Sequence, residues 1–346
     1  VFILQKYQEV IKLTRKFDIK ATKASRIIPG VYKITLDNDN QYALKSMRYP
    51  VSQLIWIDKT LQKVRKNGFP KISWRRPHIN EEKKLFAKLD KTYYVLNPWI
   101  DGHWPSPKSK ADMLKCGITL AKFHQVGHAI NIPKKGAVNM LFKWSSELNS
   151  IHQILETHIT KAKQNKYKSE LDSILQEHGE KLLNYSLKAQ QILRNSDYLL
   201  ACNNALKNKP LCHGDGGPTN FIFNKNGAHL IDFETLRIDL RSYDLYRIIY
   251  NSSKDHAWDF QIAKSILEGY QSIFKLNHTD FELMKVWLRF PRTTNLALNK
   301  HNRSKQQGKA IYVNKIPAAL LSEEQVTLFL QKLDNYAGNA IKPIYN

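Results

Sequence analysis

Apolar residues recur at two periods along this chain, and the change of period divides it into a β-containing part and a helical part. At the start, Ile3, Leu4, Tyr7, Val10 and Ile11 fall at helical spacing broken by charges, which predicts an N-terminal helix. Three short extended stretches follow: Arg26 to Ile28, Val31 to Leu36, whose residues alternate between two faces, and Gln41 to Met47. Pro29-Gly30 and Asp37 to Asn40 supply the turns between them, so the last two read as a hairpin ending near Lys45. Ser52 to Asn67 returns to helical spacing, with Leu54, Ile55, Leu61 and Val64 as its apolar face and Gly68 as its stop.

Tyr93 to Leu96 reads as a further strand, and Asn97 to Gly102 leaves it as an irregular linker. Beyond the linker helical spacing dominates: Ala111 to Val126, a long stretch from Ser145 to about Ser196, Tyr243 to Ser252, Ala257 to Phe274, Asp280 to Leu288 and Glu323 to Tyr336. This predicts an α+β, two-lobed architecture, residues 1–97 forming a small β-rich lobe and 98–346 a large helical lobe with a helical insertion at about 145–196. No internal repeat or low-complexity tract interrupts it.

One stretch inside the helical part keeps β character and carries the chemistry. Leu211 to Glu234 reads LCHGDGGPTNFIFNKNGAHLIDFE. Phe221 to Phe223 and Ala228 to Ile231 form two short strands about the turn Asn224 to Gly227, which returns Asp232 beside Asn220. Asp215 faces both from the preceding loop. Singly these are ordinary turn residues; jointly they converge carboxylate and amide oxygens, a donor set for a hard cation such as Mg²⁺ that shares its ligands with phosphates.

Composition narrows the picture in two ways. The 346 residues, 42% hydrophobic, suffice for a large core, and Cys116, Cys202 and Cys212 show neither paired nor metal-ligand spacing, which fits a reducing, intracellular compartment. The N-terminus reads as neither a signal peptide nor a membrane span, and because the chain opens on Val1 a preceding segment is left open. The formal net charge of +24 predicts attraction to polyanions or nucleotides. Its basic residues are spread through Lys59 to Arg76, Lys161 to Lys168 and Lys300 to Lys309, so a solvated basic surface is preferred to a nucleic-acid ligand, although Trp74 beside Arg75 and Arg76 could stack on bases.

His124 and His128 stand at i and i+4 in FHQVGH, a spacing that can hold zinc, but Gln125 occupies the place a metalloprotease fills with glutamate, so His124 reads as a hydrogen-bonded helix residue. No Gly-x-Ser-x-Gly nucleophile turn is present.

HGDGGPTN followed by LIDFE resembles the phosphotransferase motifs of the aminoglycoside phosphotransferase and choline kinase group, whose fold is protein-kinase-like. YALK, PWIDG and LAKFH are similar to that group's lysine strand, adenine-binding hinge and following helix. ALKSM, LCHGD, IDFETLRIDLRSYDL and LRFPRTTNLALNKHN look like the CotS-type spore-coat family of endospore-forming bacteria.

The resemblance implies ATP with Mg²⁺ and a hydroxylated small-molecule or sugar-like acceptor, with other spore-coat proteins as partners and a location in the sporulating mother cell and then the coat. Asp215 would orient or deprotonate the acceptor hydroxyl, Asn220 and Asp232 would hold Mg²⁺, and Lys45 would grip the α- and β-phosphates. Gly30 would lie in the nucleotide-covering turn, and Pro98, Trp99 and Ile100 in the hinge; His213 would brace the loop and Glu234 support the metal site. Asp244 reads as a helix cap or anchor. The chain departs from the pattern in having only Gly30 where a glycine-rich run is usual, and in lacking a glutamate within Ser52 to Asn67 to pair with Lys45, where Gln53 and Asp58 are the candidates. The alternative is a structural coat component that uses the same fold as an assembly surface, with vestigial nucleotide binding.

Overall fold

A computed structural model describes residues 2–75, 85–166, 168–304 and 306–340. Helix α1 (Phe2–Thr14) leads into β1 (Ala21–Ile28), β2 (Val31–Leu36) and β3 (Gln41–Met47), then α2 (Val51–Lys66), β4 (Ala87–Leu89) and β5 (Thr92–Pro98). The strands form one antiparallel sheet in the order β1-β2-β3-β5-β4. The expected hairpin is present, in a register that sets Val31 opposite Lys45. On one side Val10, Leu13, Phe17, Tyr32, Ile34, Leu44 and Tyr94 bury a small core.

Helix α2 does not join that core. Leu54, Trp56, Ile57, Leu61 and Val64 merge with the main core of the helical part, where they accompany Leu120, Phe123, Phe221 and Phe233. Ile55, assigned to the apolar face from spacing, is 39% exposed: it lies off the stripe that 54, 57, 61 and 64 define.

The C-terminal part contains α3 (Lys110–Ala129), α4 (Trp144–Gln164), α5 (Glu170–Asn195), α6 (Tyr198–Asn208), β6 (Leu211–Cys212), β7 (Phe221–Asn224), β8 (Gly227–Leu230) and β9 (Arg237–Ile238). It continues through α7 (Arg241–Ser253), α8 (Phe260–Gln271), α9 (His278–Arg289), α10 (Arg292–Arg303), α11 (Gln306–Val313) and α12 (Ile316–Ala340). The stretch expected as one helical run over 145–196 is two helices that pack on each other. The second starts afresh because Ser169 and Asp172 form a capping box that satisfies its free N–H groups. The helix expected from Ala257 begins only at Phe260, since Ala257 and Trp258 adopt positive φ and Asp259 caps the first turn. Helices α6 and α10 were not expected from the sequence: exposed Leu199, Leu200 and Leu206 mask the buried face of α6, made by Tyr198, Cys202 and Ala205, and the buried face of α10 includes the polar Thr294 and Asn295.

No helix among the described residues is long and apolar enough to cross a membrane. Trp74 is buried and donates to Asp58 Oδ1 at 2.9 Å, while Arg75 forms an ion pair with the same carboxylate, so neither offers the base-stacking surface considered from the sequence; Arg76 lies outside the described residues.

Candidate active site

The β7–β8 hairpin pairs Phe221 with Leu230 and Asn224 with Gly227, around the expected turn with Lys225 and Asn226 at its tip. Extending the ladder by one bond, the Ile231 N–H donates to the Asn220 carbonyl at 3.0 Å, which sets Asp232 next to Asn220. The Asn220 amide donates to the Asp215 carbonyl across the loop. Asp232 itself is held in the left-handed region at φ 64°, an orientation that turns its carboxylate out of the strand line.

The loop before the hairpin is clamped from beneath. Asp244 on α7 is fully buried, and its two oxygens accept the N–H groups of His213 and Gly214 at 2.6 and 2.8 Å, with His124 Nε2 at 2.9 Å. Burial alone would raise the Asp244 carboxyl, but the hydrogen bond and charge of His124, with His213 and the Gly214 N–H, hold it below the ordinary carboxylate value. Asp244 is therefore an anchor for the loop, and it makes no side-chain cap on its own helix. Gly214 has φ +86°, and an added Cβ would sit 2.1 Å from the Thr235 carbonyl oxygen, so the strand-to-loop passage requires glycine here. His213 Nε2 lies 2.8 Å from the Ile231 carbonyl and its Nδ1 accepts from the Asp215 N–H at 3.4 Å, which joins the Asp215 loop to the strand that carries Asp232.

From the other side, β3 delivers Lys45. Its ammonium bonds to Asp232 and lies 3.1 Å from Glu234 Oε2. Burial, then the charge of Asp232, raises the Glu234 carboxyl, and Lys45 opposes both. Helix α2 supplies no carboxylate to Lys45: Asp58 is committed to Trp74 and Arg75, and Gln53 reaches only the Glu234 carbonyl, at 3.4 Å. Gly30 has φ +82° in the β1–β2 turn and its carbonyl accepts from the Ser46 N–H at 2.8 Å, beside Lys45.

At the hinge, β5 runs on to Pro98, and the Trp99 N–H donates to the Gln41 carbonyl at 3.1 Å. The Pro98 carbonyl already accepts from the Ser73 hydroxyl at 2.8 Å. Lys33 lies 4.7 Å from the centre of the Trp99 ring. The His103–Phe223 backbone pair ties this segment, which includes Ile100, to the β7–β8 hairpin.

The profile of the phosphotransferase enzyme family matches residues 24–283, most of the chain, including the elements that carry Lys45, Asp215, Asn220, Asp232 and Asp244. The chain belongs to this family. An aminoglycoside phosphotransferase from Alicyclobacillus acidocaldarius superposes with a TM-score of 0.77 at 15% identity, over 95% of this chain and 96% of that one. An amicoumacin kinase in complex with AMP-PNP, Ca²⁺ and Ami gives 0.65 at 13% identity over 96% and 98%. A choline kinase from Streptococcus pneumoniae gives 0.54 at 14% over 94% and 99%. Among curated protein sequences none matches. These likenesses establish the protein-kinase-like fold, with its small β-sheet region and large helical region.

Two residues of this phosphotransferase site were missed from sequence. Arg247 on α7 bonds to Asp215. It stands three residues after Asp244, hence on the same helix face, and that spacing was the available signal. Tyr49 has its phenol raised by burial and then by Glu234, Asp232 and Asp215, so it borders the same acidic cluster; nothing local in the sequence marks it. His124, Cys212 and Asp244 bring ligand atoms within 4.8 Å of one another, but the Asp244 oxygens are taken by backbone N–H groups and His124 is held by Tyr270 at 2.8 Å.

Proposed function

We propose that this phosphotransferase moves the γ-phosphoryl group of ATP to a hydroxyl of a small-molecule acceptor. The observation that carries the reading is the meeting of Lys45, from the β-sheet, with Asp232, beside the loop that holds Asp215 and Asn220. In this reading Lys45 exchanges its carboxylate partners for the nucleotide phosphates, and Asp215 accepts the hydroxyl proton. The hinge around Pro98, Trp99 and Ile100 receives the base, with residues 1–97 covering the nucleotide and 98–346 carrying the acceptor.

Asp232 and Asn220 offer a carboxylate and an amide oxygen, an all-oxygen donor set that fits Mg²⁺. When bound, Mg²⁺ supplies neutralisation of the phosphate charge. The amicoumacin kinase complex, with AMP-PNP and Ca²⁺, supports nucleotide and divalent-ion binding as the shared chemistry. His213 and Asp244 keep the loop rigid, so that the acceptor oxygen and phosphorus meet in line without further reorganisation.

The test is a thermal melt with Mg-ATP followed by an ADP-release assay. Binding to the native state raises the melting temperature with ligand concentration; an unchanged melt at millimolar Mg-ATP would refute the reading. A place in the spore coat is the finer proposal. It is supported by the sequence segments ALKSM, LCHGD and LRFPRTTNLALNKHN alone, and fractionation of spores that finds the protein outside the coat layers rejects it.

A further inference from the structure

Tyr243, Tyr246 and Tyr250 recur at i, i+3 and i+7 along α7, all buried, with successive ring centroids 5.4 and 5.9 Å apart. Each faces a guanidinium. Arg237 of β9 lies 3.5 Å from the centre of Tyr243, Arg247 of α7 lies 5.9 Å from that of Tyr246, and Arg292, the first residue of α10, lies 6.0 Å from that of Tyr250. The middle rung of this ladder touches Asp215, the proposed base.

Two of the three guanidiniums are paired with a carboxylate and the third is not. Arg237 has Asp239 at 3.0 Å and Arg247 has Asp215, but Arg292 pairs with no carboxylate among the described residues. The Nε atoms of Arg237, Arg247 and Arg292 and the Tyr246 hydroxyl are all buried without a hydrogen-bond partner among those residues. Arg247 is only 8% exposed. Burial raises the Tyr243 phenol, and Arg237, Arg292 and Arg247 each draw it back. Buried donors and cations without partners are costly, so a wall with such a surplus next to a reacting carboxylate is suited to an incoming anion.

The Arg247–Asp215 pair points the same way. A carboxylate held by a guanidinium is a weaker base, because the ion pair favours its charged form. A ligand anion that takes over Arg247 releases Asp215 toward the hydroxyl, so the base becomes competent only when the right acceptor is seated.

We propose that the acceptor of this site is itself an anion, a hydroxylated carboxylate or phosphate compound whose anionic group is bound by Arg247 and Arg292 while its hydroxyl faces Asp215. This rests on the phosphotransferase reading above and specifies its substrate class. In the reaction the hydroxyl proton passes to Asp215 and the hydroxyl oxygen forms the new bond to the γ-phosphorus. The bond from that phosphorus to the bridging oxygen breaks, and its electrons leave on ADP. Amine acceptors such as choline or an aminoglycoside are cations at neutral pH and would meet the guanidiniums as like charges.

The test is ADP release by the full chain with Mg-ATP and a panel of acceptors at equal concentration. Glycerate and glucuronate represent carboxylates, glucose 6-phosphate and glycerol 3-phosphate represent phosphates, and glucose, choline and gentamicin represent neutral and cationic alcohols. Turnover is expected with one of the two anionic groups, and which one distinguishes carboxylate from phosphate. Arg247→Gln and, independently, Arg292→Gln are expected to raise the KM for that anion about 10- to 100-fold, with the KM for ATP changed less than about threefold. Arg247→Lys, which keeps the charge but loses the two-pronged geometry, should fall between. Turnover of neutral or cationic acceptors in place of the anions, no turnover of any anion, or arginine variants with an unchanged acceptor KM, overturns the anionic acceptor while leaving the phosphotransferase intact. Failure of Mg-ATP to raise the melting temperature removes the phosphotransferase reading, and this inference with it.

Discussion

Lys45 Nζ lies 3.1 Å from Glu234 Oε2, so the carboxylate that the small-region helix lacks is supplied from two residues past Asp232. Asp58, the acidic candidate on α2, is turned away into its pair with Arg75. One short segment, Ile231 to Glu234, therefore both contributes to the proposed metal site and holds the lysine proposed to reach the phosphates.

If Glu234 positions Lys45, Glu234→Ala should raise the KM for ATP about tenfold, equivalent to about 1.4 kcal/mol of lost binding. Gln53→Ala touches only the Glu234 carbonyl, at 3.4 Å, and should stay within about twofold of the parent. Steady-state kinetics on both variants checks this, and equal effects would remove the special place given to Glu234.

Asp215→Asn keeps the shape of the loop and removes the base. Turnover should fall by about 10²- to 10⁴-fold while the Mg-ATP melting shift persists. A variant that retains parental turnover would show that Asp215 takes no proton.

Asp244 satisfies two backbone N–H groups and His124 in a fully buried site. Asp244→Ala leaves all three without an acceptor and should cost about 3–5 kcal/mol of stability, read as a lower urea midpoint. A midpoint equal to that of the parent protein would mean that the loop is anchored elsewhere.

Glu323 is buried beside the start of α10, where it accepts from the Thr293 N–H at 3.1 Å, and burial pushes its carboxyl up to about 8. A carboxyl with a folded-state value above its unfolded value of 4.5 binds its proton more tightly when folded. Stability from this group is thus fully present below the unfolded value and is lost as pH rises through the folded one. Glu323→Gln retains the accepting oxygen and cannot ionise, so its melting temperature should fall less than the parent's between about pH 5 and about pH 8. Parallel curves for the two proteins would rule out Glu323 as the titrating group.

The β2–β3 hairpin, the α2 stripe and the catalytic hairpin were legible in the sequence because local periodicity and turn residues decide them. The break at Ser169 and the polar helix α10 were not, since a capping box embedded in a longer helical pattern and a helix whose buried face is partly polar, Thr294 and Asn295 beside Ala297 and Leu298, leave no apolar period to read. The same division holds within the site. Asp215, Asn220 and Asp232 lie on one short loop and hairpin, so their spacing in the chain alone determined that two carboxylates and an amide would come together. The partner of Lys45, the guanidinium on Asp215 and the tyrosine ladder of α7 were decided only by tertiary structure. Each joins elements far apart in sequence, and which side chains meet there depends on how separate helices and sheets pack, which no local pattern encodes.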